Sequence, residues 1–591
     1  MQSSADDPRS SSPVEDVGSP LLLASTSTGM IPMEIQSGTP TEIQSEADDK
    51  DPMTTPGTKS VGTQYDLLAA PPLTLMSHAD TTTESSEPED GDIDDSFQIS
   101  QDEATTDDDN LQPSTEADPG STRDEIKYII FRSALIQLFT HCTLCHSSCP
   151  GVITKPKGTY ITVKQVCHHC GYQRVWASQP RIKDTPSGNI LLSAAILYSG
   201  ETATKVLRVL SHMIIACITD RAYYIHQKEY LEPAVISVWD TKQAELLAQC
   251  RASGNPLTIG GDGRADSPGH SAKYGSYGII DLSSNKVIHL ELVQSNLVAS
   301  SNHMEKEGLK NALQFLMEKS INIGALITDR HKQVTKFVSQ SYPDIDHRFD
   351  VWHVAKGVKK KLLKIAKYKD CEVVGEWIKS ITNHMYWCAA KTPGGDGKEI
   401  AIRWKSLMEH LCDQHENCYH TQDLGDRRKK WLQPGGKVYE KVCDVICNER
   451  LIADVKKLSP HHQTNSLESY HSVVNHFAPK LLAFSYEGMY CRLLIALMHF
   501  NENYGRKQAV TKSGMERMRL CFPKAKQGEC TPKIVPVPPT YHYAEELISK
   551  ATHYITHPEE RPTVPKGPPK LASQYKHPDK DTIPQFSRYN N

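Results

Sequence analysis

Residues 255–270 read NPLTIGGDGRADSPGH, and this stretch decides how the largest part of the chain is interpreted. The apolar residues Leu257 and Ile259 predict a short buried strand that ends at the glycines around Asp262. Because Asp-Gly is a common turn signal, Asp262 is either a turn residue or a carboxylate held at a strand end to bind a metal ion. The choice depends on whether suitable partners follow downstream.

The segments after this stretch predict a mixed sheet. YGSYGIIDL and KVIHLELV are expected to be strands joined by a turn at Ser283-Ser284-Asn285, and HMEKEGLKNALQFLMEK is an amphipathic helix. INIGALIT is expected to be a buried strand, HKQVTKFVSQSY a helix, and DIDHRFDVW a last short strand. This order is that of an RNase H-like α/β fold, here continued by a mainly helical stretch from residue 354 to about 460.

Two further carboxylates are candidate partners of Asp262. Asp329 follows the strand GALIT and precedes a helix, where the alternative role is that of a helix N-cap. Glu468 lies in HQTNSLESYHSVVNHF, on a helix face with His471 and Asn475, and its alternative role is a capping box with Asn465. Three carboxylates that converge without a cationic partner repel one another unless divalent metal ions neutralise them, and oxygen ligands suit Mg²⁺ or Mn²⁺.

Four motifs in this order resemble those of DDE transposases with an RNase H-like core. They are TIGGDGR, LITDRH, FDVWH and TNSLESYH, and the phrase HRFDVWHVAKGVKKKL is most similar to the ISL-three and Mutator groups. The resemblance covers roughly residues 255–505. It implies two-metal cleavage of phosphodiester bonds followed by strand transfer, with DNA as the partner and a homo-oligomer as the working form.

The resemblance also assigns roles to individual residues. Asp262, Asp329 and Glu468 would be the catalytic, metal-binding triad. Asp350 and His353 would support the site, and their alternative roles are an N-cap and a surface histidine. Asp266 and Asp344 are the carboxylates that we set aside.

Cysteine spacing predicts a structural zinc site. Cys142 and Cys145 form one C-x-x-C pair, Cys167 and Cys170 form a second, and four thiolates close a tetrahedral site. Four unrelated buried or redox cysteines are the alternative, and the nearby spare ligands are His146, Cys149, His168 and His169. The segment that carries these four cysteines is expected to form a zinc ribbon. Its basic and aromatic residues suit contact with DNA, although many zinc ribbons bind proteins or brace a neighbouring domain. These candidate DNA-binding residues are Lys155, Lys157, Lys164, Arg174 and Trp176.

The helical stretch contains a second possible zinc site in LCDQHENCYH. Its candidate ligands are Cys412, His415, Cys418 and His420, which are crowded within a short segment. The basic runs KGVKKKLLKIAK and DRRKKW are expected to hold DNA, to act as nuclear-import signals, or simply to form solvated helix faces.

Charge divides the chain into an acidic tail and a basic body. Residues 1–122 contain 26 Asp and Glu against 3 Lys and Arg, although the net charge of the whole chain is only −5. The tail lacks the apolar residues needed to fold alone, whereas a basic body favours a polyanionic partner. The start MQSSADDPRSS lacks the features of a signal peptide, and no apolar stretch is long enough to span a bilayer, so we expect an intracellular protein without membrane contact whose 16 cysteines are thiols or metal ligands. A nuclear location is what the resemblance to transposases implies.

These observations predict the following organisation. We expect a disordered tail over 1–123, a helix and zinc ribbon over 124–180, a helical region that could contact DNA over 181–254, the first part of the core over 255–353, a helical insertion over 354–460, closing helices over 461–507, and a Pro-rich, basic, largely disordered region over 508–591. The function expected first is that of a DDE transposase. Its rivals are a domesticated, transposon-derived DNA-binding protein without catalysis and a protein-interaction scaffold built around the zinc ribbon.

Overall fold

The structure is a computed structural model that describes residues 121–268, 271–419, 430–512, 514–522 and 529–569. The expected disorder of residues 1–120 and 570–591 therefore lies outside the described residues. The same is true of His420 and of most of the basic run DRRKKW.

The N-terminal part of the described chain is a small antiparallel sheet preceded by two short helices. The helices are α1 (Ser121–Asp124) and α2 (Arg132–Gln137), and the strands are β1 (Val152–Ile153), β2 (Thr162–Val166) and β3 (Gln173–Ala177), in the order β1-β2-β3. The continuous helix expected from residue 124 was wrong, since residues 125–131 are not helical. This run of β-branched and aromatic residues has low helix propensity, and its exposed side chains have no core to favour a helix.

Residues 181–254 are mainly helical, as expected. A short strand pair, β4 (Arg181–Ile182) and β5 (Thr185–Pro186), leads into α3 (Ser187–Tyr198), α4 (Ala203–His212), α5 (Asp220–His226) and α6 (Glu232–Ala252), with a π-helical turn at Gln227–Leu231. Helices α3 and α6 supply buried residues such as Leu197 and Trp239 to the largest hydrophobic core.

A five-stranded mixed sheet lies at the centre of the fold. Its strands are β6 (Leu257–Ala265), β7 (Tyr274–Asp281), β8 (Lys286–Gln294), β9 (Ile323–Thr328) and β10 (Asp346–Phe349), in the order β10-β9-β6-β7-β8. Strands β6, β9 and β10 are parallel, whereas β7 and β8 are antiparallel to their neighbours. The connecting helices are α7 (Met304–Glu318) and α8 (Lys332–Ser341). Every strand and helix expected between residues 256 and 350 is present.

The chain then forms a helical unit with its own core. This unit contains α9 (Val351–Ile365), α10 (Val373–Ala390), α11 (Gly397–Lys405), α12 (Leu407–His410), α13 (Lys437–Ile446) and α14 (Glu449–Val455). The fully buried Trp404 belongs to its core and donates a hydrogen bond from Nε1 to the carbonyl of Ile446. The unit is attached to the sheet through β10, because Phe349 forms a parallel bridge with Leu458.

The remaining elements return to the sheet. Helices α15 (Asn465–Phe477) and α16 (Tyr486–Asn503) cover the face of the sheet opposite α7, and the hairpin β11 (Met518–Cys521) and β12 (Thr531–Ile534) precedes α17 (His542–Thr556). The expectation of general disorder after residue 508 does not fit, because α17 buries Tyr543, Leu547 and Tyr554 in the largest core. In the described part of the chain, no helix combines the length and the apolar character that crossing a bilayer requires.

Candidate functional site

Strands β6 and β9 bring Asp262 and Asp329 to the same edge of the sheet. The parallel pairing of the two strands ends with Gly260 opposite Ile327, and β9 itself ends at Thr328. Continued by two residues, this register sets Asp262 beside Asp329. Asp262 is not a turn residue, because β6 continues to Ala265 and Asp262 pairs with Gly278 of β7.

The glycines around Asp262 allow neighbouring side chains to approach the strand. A Cβ atom at position 263 would lie 2.9 Å from Cγ of Glu305, and one at position 261 would lie 2.5 Å from the hydroxyl of Tyr277. Both distances are too short for real carbon contacts. The sequence GGDG therefore makes room for two polar side chains close to Asp262, a use of glycine that differs from a turn.

Asp329 is not the N-cap of the helix that follows it. His331 occupies that position in α8, and Oδ1 of Asp329 accepts a hydrogen bond of 3.2 Å from the backbone amide of His331. The second carboxylate oxygen of Asp329 has no hydrogen bond in the described residues. The N-cap alternative for this residue is thereby removed.

Helix α15 carries Glu468 toward the same edge. The helix begins at Asn465 with Thr464 as its N-cap and without a side-chain capping bond, so Glu468 takes no part in a capping box. One turn later, Nδ1 of His471 lies 3.5 Å from Oδ2 of Asp262. Glu468 itself is exposed, which leaves this side of the site open to solvent.

Asp350 fastens two elements of the site together. One oxygen caps α9 by accepting a 2.7 Å hydrogen bond from the amide of Trp352, which confirms the N-cap role considered for this residue. Its other oxygen accepts from the amide of Thr464, also at 2.7 Å, and from the Thr464 hydroxyl. The buried Asp350 thus connects the end of β10 to the start of α15, and His353 on α9 reaches to 3.8 Å from Oε1 of Glu468.

The pKa values show that the carboxylates act on one another. Burial, and then the negative charges of Asp329 and Glu468, raise the pKa of Asp262 to about 7. Burial, followed by the charges of Asp329 and Asp262, raises the pKa of Glu305 to about 8. Burial, together with the positive charge of Arg264, lowers the pKa of His471 to about 4, so this histidine is a neutral neighbour of Asp262 at physiological pH.

Glu305 is a fourth carboxylate that the sequence analysis missed. It lies in the first turn of α7, where an acidic residue is ordinary because of the helix dipole. In the described residues it forms neither a hydrogen bond nor an ion pair. The available signal was the pair of glycines on either side of Asp262, which imply that large side chains approach from the α7 face.

The carboxylates form an open arrangement that lacks Lys and Arg partners among the described residues. In that part of the chain, only two groups of three or more candidate ligands have their atoms within 4.8 Å of one another, and neither group contains these carboxylates. Asp262 is the member of the group whose pKa responds to both Asp329 and Glu468.

The two carboxylates that were set aside have other roles or positions. The buried Asp266 accepts hydrogen bonds of 3.1 Å from the amides of Lys273 and Tyr274 and so closes the connection between β6 and β7. Asp344 is exposed before β10.

The four predicted cysteines form a compact cluster that could hold a metal ion such as zinc. The Sγ atoms of Cys142 and Cys170 are 3.7 Å apart, and those of Cys145 and Cys167 are 3.5 Å apart. Tetrahedral zinc with Zn–S bonds near 2.3 Å requires separations of about 3.8 Å. The spare ligands His146, Cys149, His168 and His169 are not members of the cluster.

The two halves of the cluster are matching turns. The carbonyl of Cys142 accepts from the amide of His146, and the carbonyl of Cys167 accepts from the amide of Gly171. His146 and Gly171 both have a positive φ, which closes each turn after its second cysteine. The two turns thus direct their thiols toward one point.

The candidate DNA-binding residues of the ribbon do not share one face. Lys155 and Lys157 are exposed in the loop between β1 and β2. Lys164 pairs with Val175, and it therefore lies on the face opposite Arg174 and Trp176. Trp176 packs on Phe139 at a ring distance of 5.3 Å, and the Arg174 guanidinium lies 5.4 Å from the same ring, so both side chains brace the ribbon.

The second possible zinc site has a different composition from the one predicted. His410, His415 and Cys418 have ligand atoms within 4.8 Å of one another. Cys412 is not in this group; it is half-buried against the core of the helical unit. Cys412 was one of the four candidate ligands expected from the sequence, whereas the structure brings in His410 from the end of α12.

Comparison with models of protein families and with curated proteins found no match for this chain.

Proposed function

We propose that this protein is a DDE transposase-like enzyme with an RNase H-like core that cleaves and joins DNA with the help of divalent metal ions. The strand order supports the fold assignment: three antiparallel strands, β6 to β8, are followed by β9 and β10, which add in parallel on the other side of β6. The resemblance of the motifs around Asp262, Asp329, Asp350 and Glu468 supports the family assignment.

One observation carries the proposal. Three carboxylates from β6, the end of β9 and α15 face one another closely enough for their charges to raise the pKa of Asp262, and in the described residues none of them has a Lys or Arg partner. Such an arrangement is electrostatically unfavourable in the absence of cations. Carboxylates that repel one another at an open sheet edge are what a divalent metal site requires.

The residues present suit Mg²⁺ or Mn²⁺, which would activate the attacking oxygen and stabilise the leaving oxygen when bound. Asp262, Asp329 and Glu468 are the residues that would hold the ions. Asp350 holds the start of α15, which carries Glu468, through Thr464, and Glu305 would add a further carboxylate from the α7 side once it has lost its proton. In the proposed reaction, water attacks a phosphodiester and the bond to the 3′ oxygen breaks, which leaves a 3′-hydroxyl and a 5′-phosphate. The 3′-hydroxyl then attacks a phosphodiester of the target DNA, forming a new bond to phosphorus while the bond to the target's own 3′ oxygen breaks.

The test is metal binding and strand cleavage by the full chain. We expect Mn²⁺ to bind to the wild type, as measured by calorimetry, and the protein to nick supercoiled DNA in the presence of Mn²⁺ or Mg²⁺. Asp262→Asn, Asp329→Asn and Glu468→Gln should each reduce both activities by about 100-fold or more, because each removes a charged ligand. The matched control is Asp344→Asn, which changes an exposed carboxylate away from the site.

Two outcomes would reject the enzymatic proposal in different ways. If DNA binds with a strong salt dependence but Mn²⁺ neither binds nor supports nicking, the protein is a transposase-derived DNA-binding protein. If DNA binding is weak and insensitive to salt, the protein-interaction scaffold is favoured instead. Mn²⁺ binding that survives all three substitutions would show that these carboxylates do not form the site.

A further inference from the structure

His410, His415 and Cys418 lie together in the helical unit formed by α9–α14, far along the chain from the four-cysteine cluster. His410 is the last residue of α12. The chain reverses immediately afterwards, with the amide of Gln414 donating to the carbonyl of Glu409 and Asp413 adopting a positive φ. This reversal brings His415 and Cys418 back toward His410.

The distances within this group are those of metal ligands. Sγ of Cys418 lies 3.6 Å from Nδ1 of His410 and 3.5 Å from Nδ1 of His415. A tetrahedral zinc ion with Zn–N bonds near 2.05 Å and a Zn–S bond near 2.3 Å requires an N–S separation of about 3.6 Å. Both histidines direct the same ring nitrogen toward the thiol, so one ion could contact all three atoms.

A carboxylate fixes the orientation of one of the histidines. Nε2 of His415 lies 3.0 Å from Oδ1 of Asp413, which favours the tautomer with the proton on Nε2 and leaves the lone pair on Nδ1. This arrangement of carboxylate, histidine and metal is common around zinc, and the carboxylate makes the ring a better ligand. Asp413 is thus placed to act on the ligand and not on the metal.

Aromatic side chains surround the group. Trp431 lies 5.8 Å from the ring of His410 and 5.6 Å from the ring of His415, and Trp377 lies 5.9 Å from His410. Trp377 also donates from Nε1 to the carbonyl of Lys430. An apolar surrounding of this kind excludes water and strengthens the binding of a metal ion by soft and borderline ligands.

We propose that His410, His415 and Cys418 form a second zinc site, which joins the end of α12 to the segment that follows it. Two nitrogens and one thiolate are a ligand set that suits zinc and does not suit Mg²⁺ or Ca²⁺. The fourth coordination position belongs to water or to a further ligand. This site does not depend on the proposed enzymatic function, since it shares no residue with the carboxylates.

Metal content of the full chain tests the proposal. Wild-type protein should contain two zinc ions per chain, and His410→Ala or Cys418→Ser should reduce the content to one. The matched control is Cys412→Ser, which changes the nearby cysteine that the structure leaves out of the group and should retain both ions. One zinc ion in the wild type, or loss of zinc in Cys412→Ser together with retention in His410→Ala, would overturn the ligand set.

Cobalt binding gives a second readout, which does not depend on how much zinc the protein retains during purification. In a background with Cys142 and Cys167 both replaced by Ser, which leaves the four-cysteine site too few thiolates to hold an ion, Co²⁺ added to the full chain should give a thiolate charge-transfer band of the size expected for a single sulfur ligand. Cys418→Ser should abolish this band, whereas Cys412→Ser should preserve it. A band that persists without Cys418 would reject the site.

Discussion

The four-cysteine ribbon and the proposed carboxylate site are built in opposite ways. The most distant ligands of the ribbon, Cys142 and Cys170, are 28 residues apart and lie on two matching turns. Asp262 and Glu468 are separated by about 200 residues, and α15 reaches β6 only because the sheet and the helix have both folded, with Nδ1 of His471 3.5 Å from Oδ2 of Asp262. The ribbon is therefore a local site, whereas the proposed carboxylate site is a global one.

The largest expected effect is on the local site. Replacing Cys142 and Cys167 together by Ser should remove its zinc entirely, with a loss of binding free energy on the order of 10 kcal/mol, because the one thiolate left in each turn cannot hold the ion. Zinc content and hydrogen exchange should show a complete loss of protection in residues 140–177, with unchanged protection in β6–β9. Cys149→Ser, which changes a buried cysteine outside the cluster, should keep its zinc, and equal loss in both variants would break the comparison.

A global site should instead be sensitive to a residue that touches no metal. Asp350→Ala removes the cap of α9 and leaves the buried amide of Thr464 unsatisfied, which should cost about 2–4 kcal/mol of unfolding free energy. Urea unfolding measures this change, and Mn²⁺ calorimetry on the folded variant should show weakened binding. Asp344→Ala is the neutral control. A change of less than about 0.5 kcal/mol in Asp350→Ala would mean that α15 is held in place by packing alone.

Protonation of its carboxylates should make metal binding at the proposed carboxylate site depend on pH. The pKa values of Asp262 and Glu305 are raised to about 7 and about 8, so both groups carry protons at about pH 6 and must lose them for a cation to bind. Mn²⁺ affinity should rise at least about tenfold between about pH 6 and about pH 8.5. The unliganded protein has the opposite dependence: raised acid pKa values make these groups cost stability as pH rises from about 4 to about 8.

Glu305→Gln sharpens this test. The variant should bind Mn²⁺ about tenfold more weakly at about pH 8.5 and should show a shallower pH dependence, because one of the two titrating groups is gone. Glu307→Gln, on the same helix but ion-paired with Lys310, should match the wild type. An unchanged pH profile in Glu305→Gln would remove this residue from the site without affecting the case for Asp262.

The smallest effect is expected on the surface of the ribbon. Replacing both Lys155 and Lys157 by Ala should weaken DNA binding a few-fold and reduce the salt slope by about 1–2, the amount expected for two phosphate contacts. Affinity measured over a range of salt concentrations checks this, with Lys336→Ala on α8 as the control for an exposed charge elsewhere. An equal reduction in the control would indicate nonspecific attraction.

How well each region could be predicted depends on how far the local sequence determines its geometry. The C-x-x-C spacing indicated the cysteine cluster because its geometry is set within two short turns. The strands and helices of the sheet were also predictable, since each shows its own periodicity. The convergence of Asp262 and Asp329 could be expected because the strands that carry them were expected to be neighbours in the sheet.

The misses have different physical causes. Glu305 reaches the site through space left by glycines on another strand, and His410 joins His415 and Cys418 through a chain reversal that no spacing rule specifies. The apolar residues of α17 are followed by a Pro-rich stretch, and composition alone favoured disorder there. For Glu305 and for α17, the partner that decides the outcome is absent from the local sequence.

Helix α17 has a consequence for how the protein is made. Its residues Leu547, Ala551 and Tyr554 pack in the same core as Leu197, Leu231 and Trp239, which leave the ribosome some three hundred residues earlier. During synthesis the largest core therefore stays incomplete until α17 has been translated, although all four cysteines of the ribbon are present long before. Nascent chains that stall before residue 542 expose this unfinished apolar surface, which is a target for chaperones that hold such surfaces.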